Sequence, residues 1–184
     1  DLRMSRGLGD VYKRQIKMRK LILMIFAIIP VVGFSQVKNA GCFLRLEKPY
    51  HSDTLSMEND SVKISFRFNS LNYFCELSIE NNTNEVVLVD WDKFLMVMEG
   101  ESIPVLFEDT QMINKDGSKG QTPIAPETKL VRSVAPIDYI DLNMTLYNKG
   151  WIKKRGDQEI GFMIPVVFGD QTKYYHCSIS VSLK

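Results

Sequence analysis

Asp90-Trp91-Asp92 sets an indole between two carboxylates, a combination that can stack on a sugar ring and accept its hydroxyl hydrogen bonds. A carboxylate pair can also divide the acid and base work of glycoside hydrolysis. At a turn, aspartate side chains hydrogen-bond the nearby backbone of their own chain. Convergence of Asp90 and Asp92 on one substrate is therefore not expected. The structural reading is favoured: Trp91 closes one end of a core while the aspartates hold turn backbone.

Arg155-Gly156-Asp157 can offer a guanidinium and a carboxylate to an integrin-type receptor, yet Lys153 to Gln158 also has the composition of an exposed β-turn. Trp151 with Lys153 and Lys154 can touch an anionic surface, and a charged hairpin is the simpler expectation. The candidate binding residues are thus Asp90, Trp91, Asp92, Trp151, Arg155, Gly156 and Asp157. His51, in a loop, and His176, on an outward strand face, are the only histidines, and read as surface residues rather than metal ligands. No HExxH, CxxC, GxSxG or glycine-rich phosphate loop occurs. No catalytic residue, metal or cofactor is assigned.

The three cysteines raise a pairing question. Cys75 shares a strand face with Tyr73, Leu77 and Ile79, and Cys177 with Tyr175, Ile179 and Val181, so both turn inward. Either they staple two sheets as a disulfide or they lie as two buried thiols. Cys42 follows Asn39-Ala40-Gly41, whose small residues match a lipobox, although Asn39 and the polar run from Ser35 fit it poorly. Soluble export is favoured over lipidation at Cys42.

What positions these residues begins with the N-terminus. Met18-Arg19-Lys20 followed by the apolar run Leu21 to Phe34 has the parts of a secretory signal, too short to span a bilayer comfortably. Residues ahead of such a signal are out of place. Asp10 to Gln15 can be encoded by GAT GTG TAT AAG AGA CAG, the end sequence of a transposon used to prepare sequencing libraries, which makes residues 1–17 translated adapter and upstream bases from an environmental read. Residues 18–35 are then the signal and 36–184 one domain of 149 residues. That domain carries 16 basic and 20 acidic residues, a net charge of about −4, which argues against a nucleic-acid partner.

Within it the apolar residues alternate. Val62, Ile64, Phe66 and Phe68 mark one strand, and Val86 to Val89 reads as a central strand apolar on both faces. Hairpins are predicted at Gly100 and at Gly169-Asp170, and Asn81-Asn82-Thr83-Asn84 is a turn. Asn114 to Gln121 with Pro123 to Pro126 reads as a long polar loop, and Ile137 to Gly150 as a short strand with a crossover. No stretch of ten residues has a helical period. The predicted class is all-β, an immunoglobulin-like antiparallel β-sandwich of about eight or nine strands.

The run SVKISFRFNSLNYFCELSIENNTNEVVLVDWDKF, with TPIAPETKLVRSVAP beyond the next hairpin, resembles a group of uncharacterised secreted or lipid-anchored sandwich proteins of Gram-negative bacteria. The likeness spans roughly residues 60–140. It implies fold and compartment and carries no activity. The expected function is a non-catalytic secreted or cell-envelope module that binds a protein or glycan or is structural. The alternatives are a hydrolase using Asp90 and Asp92, or an adhesin presenting Arg155-Gly156-Asp157. The expected location is periplasmic or secreted, or else the outer membrane as a lipoprotein, with membrane contact only through an uncleaved signal or a lipid on Cys42.

Overall fold

The computed structural model describes residues 37–69, 71 and 73–183; the segments read as adapter and signal lie outside the described residues. From residue 37 onward the chain is all-β, with twelve antiparallel strands, two short α-helices and two 3-10 turns among the described residues. The strands are β1 (Val37–Asn39), β2 (Cys42–Lys48), β3 (Ser56–Glu58), β4 (Val62–Phe68), β5 (Cys75–Asn81) and β6 (Val87–Asp90). They continue as β7 (Leu95–Met98), β8 (Glu101–Phe107), β9 (Gln121–Ile124), β10 (Lys129–Pro136), β11 (Gln158–Phe168) and β12 (Gln171–Ser182). Helices α1 (Ile137–Asp141) and α2 (Lys149–Arg155) stand between β10 and β11.

Alternation in the sequence becomes alternation in burial. β4 buries Val62, Ile64, Phe66 and Phe68, and β5 buries Cys75, Leu77, Ile79 and Asn81. Hairpin geometry follows from turn chemistry. Ala40-Gly41 and Glu99-Gly100 hold positive φ at both central residues, the type I′ pattern, and Gly169 alone does so in the β11–β12 turn, the type II′ pattern. Asn81 is fully buried and its amide donates to the carbonyls of Glu85, Ile124 and Ala125 at 2.7–3.2 Å. It thereby ties the β5–β6 turn to the β9–β10 turn, which is why a polar residue occupies a core position.

One continuous path of pairing runs β1-β2-β12-β11-β7-β8-β10-β5-β4-β3. β8 is its corner: Glu101 to Pro104 pair with β7, and Val105 to Phe107 pair with β10. Although four strands separate β4 from β11 along the path, Phe66 and Phe162 meet with ring centroids 4.5 Å apart. The sheet therefore curls over itself around a shared core.

Five strands escape the sequence reading, β2 and β10 among them. β1 and β3 have only three residues each, too few for alternation to register, and β9 contains Pro123 inside the predicted loop. Pro123 is tolerated because β9 pairs on one side only, with β6. The Ile137 to Gly150 segment is not a strand and crossover but α1 plus a loop into α2, and the charged hairpin expected at Trp151 to Asp157 is instead α2 and its exit. Local signals account for both helices. Asn148 caps α2 by accepting from Trp151 N at 2.9 Å, basic residues fill its last turn, and Gly156 at φ 89° ends it. After α1, Asn143 takes φ 51° while Met144 N and Asn143 N donate to Tyr139 O and Ile140 O, a Schellman closure.

Candidate functional site

The Asp90-Trp91-Asp92 cluster lies where β6 ends and a 3-10 turn, Trp91–Lys93, begins. Trp91 is 2% exposed, its Nε1 donates to Thr122 Oγ1 at 2.9 Å, and its ring packs edge-on against Phe107 and tilted against Phe94. Asp90 is buried and takes the Lys93 ammonium at 2.9 Å and the Gln121 amide at 3.4 Å. Asp92 faces another way, accepting from Ser118 Oγ at 2.6 Å, Lys119 N at 2.7 Å and Gly120 N at 3.3 Å. These contacts hold both carboxyls below the usual aspartate range, through the Lys93 hydrogen bond for Asp90 and through the Ser118 hydroxyl, then the Lys119 amide, for Asp92. The cluster is a clamp on the Ser118–Gln121 segment. Its acceptors are engaged by the chain itself, and its indole offers no open face.

A different arrangement forms around α1 and α2. Two adjoining cavities of about 230 and 400 Å³ share Met98, Glu99, Tyr139 and Arg155 in their linings. Leu146, Ile160, Asp157, Gln158 and Glu159 complete the smaller one, and Glu101, Ile103, Asp138, Leu142, Met144 and Trp151 the larger. Each element contributes for a local reason. The β7–β8 turn puts Glu99 and Glu101 at the mouth, α1 buries Tyr139 while leaving Asp138 outward, and α2 lays Trp151 and Arg155 along one side, three and four residues apart being helix neighbours. Arg155 Nη1 meets Glu99 Oε1 at 2.7 Å, so an ion pair stands in the wall common to both cavities. The Tyr139 phenol is pushed up, chiefly by burial and next by the Glu99 carboxylate. The groove thus combines an apolar floor, two aromatic rings and an acidic rim.

Of the residues singled out from sequence, Trp151, Arg155 and Asp157 come together in this groove, whereas Asp90, Trp91 and Asp92 line neither cavity. Gly156 serves as the helix stop between Arg155 and Asp157, and is not the apex of a β-turn. Sequence reasoning missed Glu99, Glu101, Asp138 and Tyr139. The available signal was Glu99-Gly100-Glu101, two acidic residues flanking a glycine in a predicted hairpin.

The cysteine expectations meet a different arrangement. Cys42, Cys75 and Cys177 are all free and buried. Cys177 lies across from Phe162, and Cys75 across from Phe68, so at this level the core is spanned by the Phe66–Phe162 ring contact, with no bond between Cys75 and Cys177. Burial raises all three thiols, that of Cys177 to about 12. Asn39-Ala40-Gly41-Cys42 forms the β1–β2 turn, with Cys42 fully buried; a chain cut before Cys42 would lose β1, and a lipid on that sulfur would have to leave the core. Gly41 is favoured there by its φ of 75°, a backbone conformation that strains any residue with a Cβ. His51 Nδ1 contacts Glu47 at 2.5 Å, while His176 is exposed on β12 opposite Met163.

No family model matches the chain, and no curated protein is similar to it. Among solved structures, a protein from Archaeoglobus fulgidus aligns over 65% of this chain and 91% of its own length at 13% identity, with a TM-score of 0.31. A likeness of that degree carries no inference about fold or function.

Proposed function

We propose that the chain is an exported, non-catalytic β-sandwich module of immunoglobulin-like build that binds a protein or glycan through the groove between the β7–β8 turn and the two helices. One observation carries this reading. The conspicuous carboxylates at Asp90 and Asp92 are engaged by the chain, while Glu101, Asp138, Asp157 and Glu159 gather around an apolar hollow lined by Tyr139 and Trp151. Aromatic rings beside open acceptors are what recognition uses. A hydrolase built on Asp90 and Asp92 would need one of them to hold a proton near neutral pH, and the contacts at both favour the ionised form. An adhesin built on Arg155-Gly156-Asp157 would need a free guanidinium, and that of Arg155 is engaged by Glu99.

Export rests on the signal-like segment at residues 18–35. The burial of Cys42 favours a soluble periplasmic or secreted form over an outer-membrane lipoprotein. The acidic balance of residues 36–184 speaks for a partner other than nucleic acid.

The test is site-specific photocrosslinking. A benzoylphenylalanine placed at position 151 should give a discrete adduct in an envelope fraction, and one at position 67, on the exposed side of β4, should not. Equal labelling from both positions would remove the groove as contact surface. Hydrolysis of aryl glycosides that disappears in Asp92→Asn would restore the enzyme reading.

A further inference from the structure

We infer that the groove receives the cationic side chain of a partner's peptide, a lysine or arginine carried between apolar residues; this rests on the groove being the contact surface. Charge is the first argument. Glu99, Glu101, Asp138, Asp157 and Glu159 line the two cavities against a single guanidinium, that of Arg155. Hydrogen bonding is the second. Glu101, Asp138, Asp157 and Glu159 are exposed acceptors at the two cavities whose carboxylates take no hydrogen bond or ion pair from the described residues. An ammonium or guanidinium supplies both a positive charge and N–H groups, a sugar hydroxyl supplies only a donor, and an anionic headgroup supplies neither.

Arg155 supplies the third argument, because the chain already seats one guanidinium against Glu99 in the shared wall. Met98, Ile103 and Leu146 provide an apolar floor suited to the stem of a long basic side chain. Flanking apolar residues of the peptide also have a surface to meet. Leu142 is 68% exposed at the end of α1, and the Lys115–Asp141 ion pair tethers to that end the turn bearing Met112 and Ile113, the latter 89% exposed.

The experiment measures anisotropy of three fluorescein-labelled peptides, Leu-Lys-Leu-Arg-Leu, Leu-Gln-Leu-Gln-Leu and Leu-Glu-Leu-Glu-Leu, against the purified chain. The basic peptide should bind at least roughly tenfold more tightly than the neutral one, and should weaken as salt rises from about 50 to about 500 mM. Glu101→Gln with Asp138→Asn should weaken it roughly tenfold, and Asp157→Asn with Glu159→Gln provides a second pair should the first not fold. Arg155→Ala should tighten it severalfold by freeing Glu99, an effect that a merely structural Arg155 would not produce. Equal binding of the basic and neutral peptides, both sensitive to Trp151→Ala, would overturn the cation while keeping the groove. Binding of phosphatidylglycerol vesicles in place of peptide, lost in Trp151→Ala, would likewise overturn it. Failure of every peptide to bind would remove the groove reading as well.

Discussion

The Trp91 corner and the α1–α2 groove both assemble aromatic rings with carboxylates, and they differ in what those groups already touch. At the corner the indole is buried with its N–H bonded to Thr122, and Asp90 and Asp92 each have partners from the chain. In the groove Trp151 is half-buried, and Glu101, Asp138, Asp157 and Glu159 are exposed around a hollow. Composition alone scores the corner higher, since its three residues are consecutive. Hydrogen-bond saturation reverses the ranking: groups satisfied within the fold contribute stability, and groups left open at a concave surface are available to a ligand.

The contrast breaks most decisively at Trp91. Trp91→Ala should destabilise the domain by about 3–5 kcal/mol, because it empties a fully packed site and orphans the Thr122 contact, and urea unfolding followed by circular dichroism reads it directly. A loss below about 1 kcal/mol would mean that the corner is not the structural clamp described. Trp151→Ala is the paired measurement, with an expected change in stability within about 1 kcal/mol and a loss of groove binding.

A smaller effect comes from acid. The carboxyls of Asp90 and Asp92 are lowered in the folded state by Lys93 and by Ser118 with Lys119. Their contribution is therefore complete above the unfolded aspartate value of about 3.9 and is lost as pH falls from there through the lower folded values. Unfolding midpoints measured across that window should drop less in an Asp90→Asn and Asp92→Asn double variant than in the parent. Equal slopes would indicate that the two carboxylates are not preferentially stabilised as anions.

Local loosening is smaller still. Asp92→Ala removes the acceptor for Ser118, Lys119 and Gly120, so limited proteolysis should cut the 114–120 segment faster with little change in global stability. Unchanged cleavage would show that the loop is held from elsewhere. The smallest signal is chemical: buried, protonated thiols at Cys42, Cys75 and Cys177 should react with a thiol reagent only after denaturation, all three then counting as free. A native reactivity equal to that in denaturant would contradict their burial.

Much of the strand pattern was legible in the residues. Period-two alternation at Val62 to Phe68 marked β4 and its buried face, and glycine placement marked the Glu99-Gly100 and Gly169-Asp170 hairpins, because strand faces and turn dihedrals are set by neighbouring residues alone. The all-β class follows from these local features. The helices carried caps at Asn148, Asn143 and Gly156, but at five and seven residues they are too short for a 3.6-residue period to emerge. Tertiary structure decided the rest. Which carboxylates are saturated and which stand open depends on contacts such as Asp92 with Ser118 and Glu99 with Arg155, formed between residues 26 and 56 positions apart. No local rule encodes those meetings, since they exist only once β8 has turned the corner and the sheet has curled onto itself.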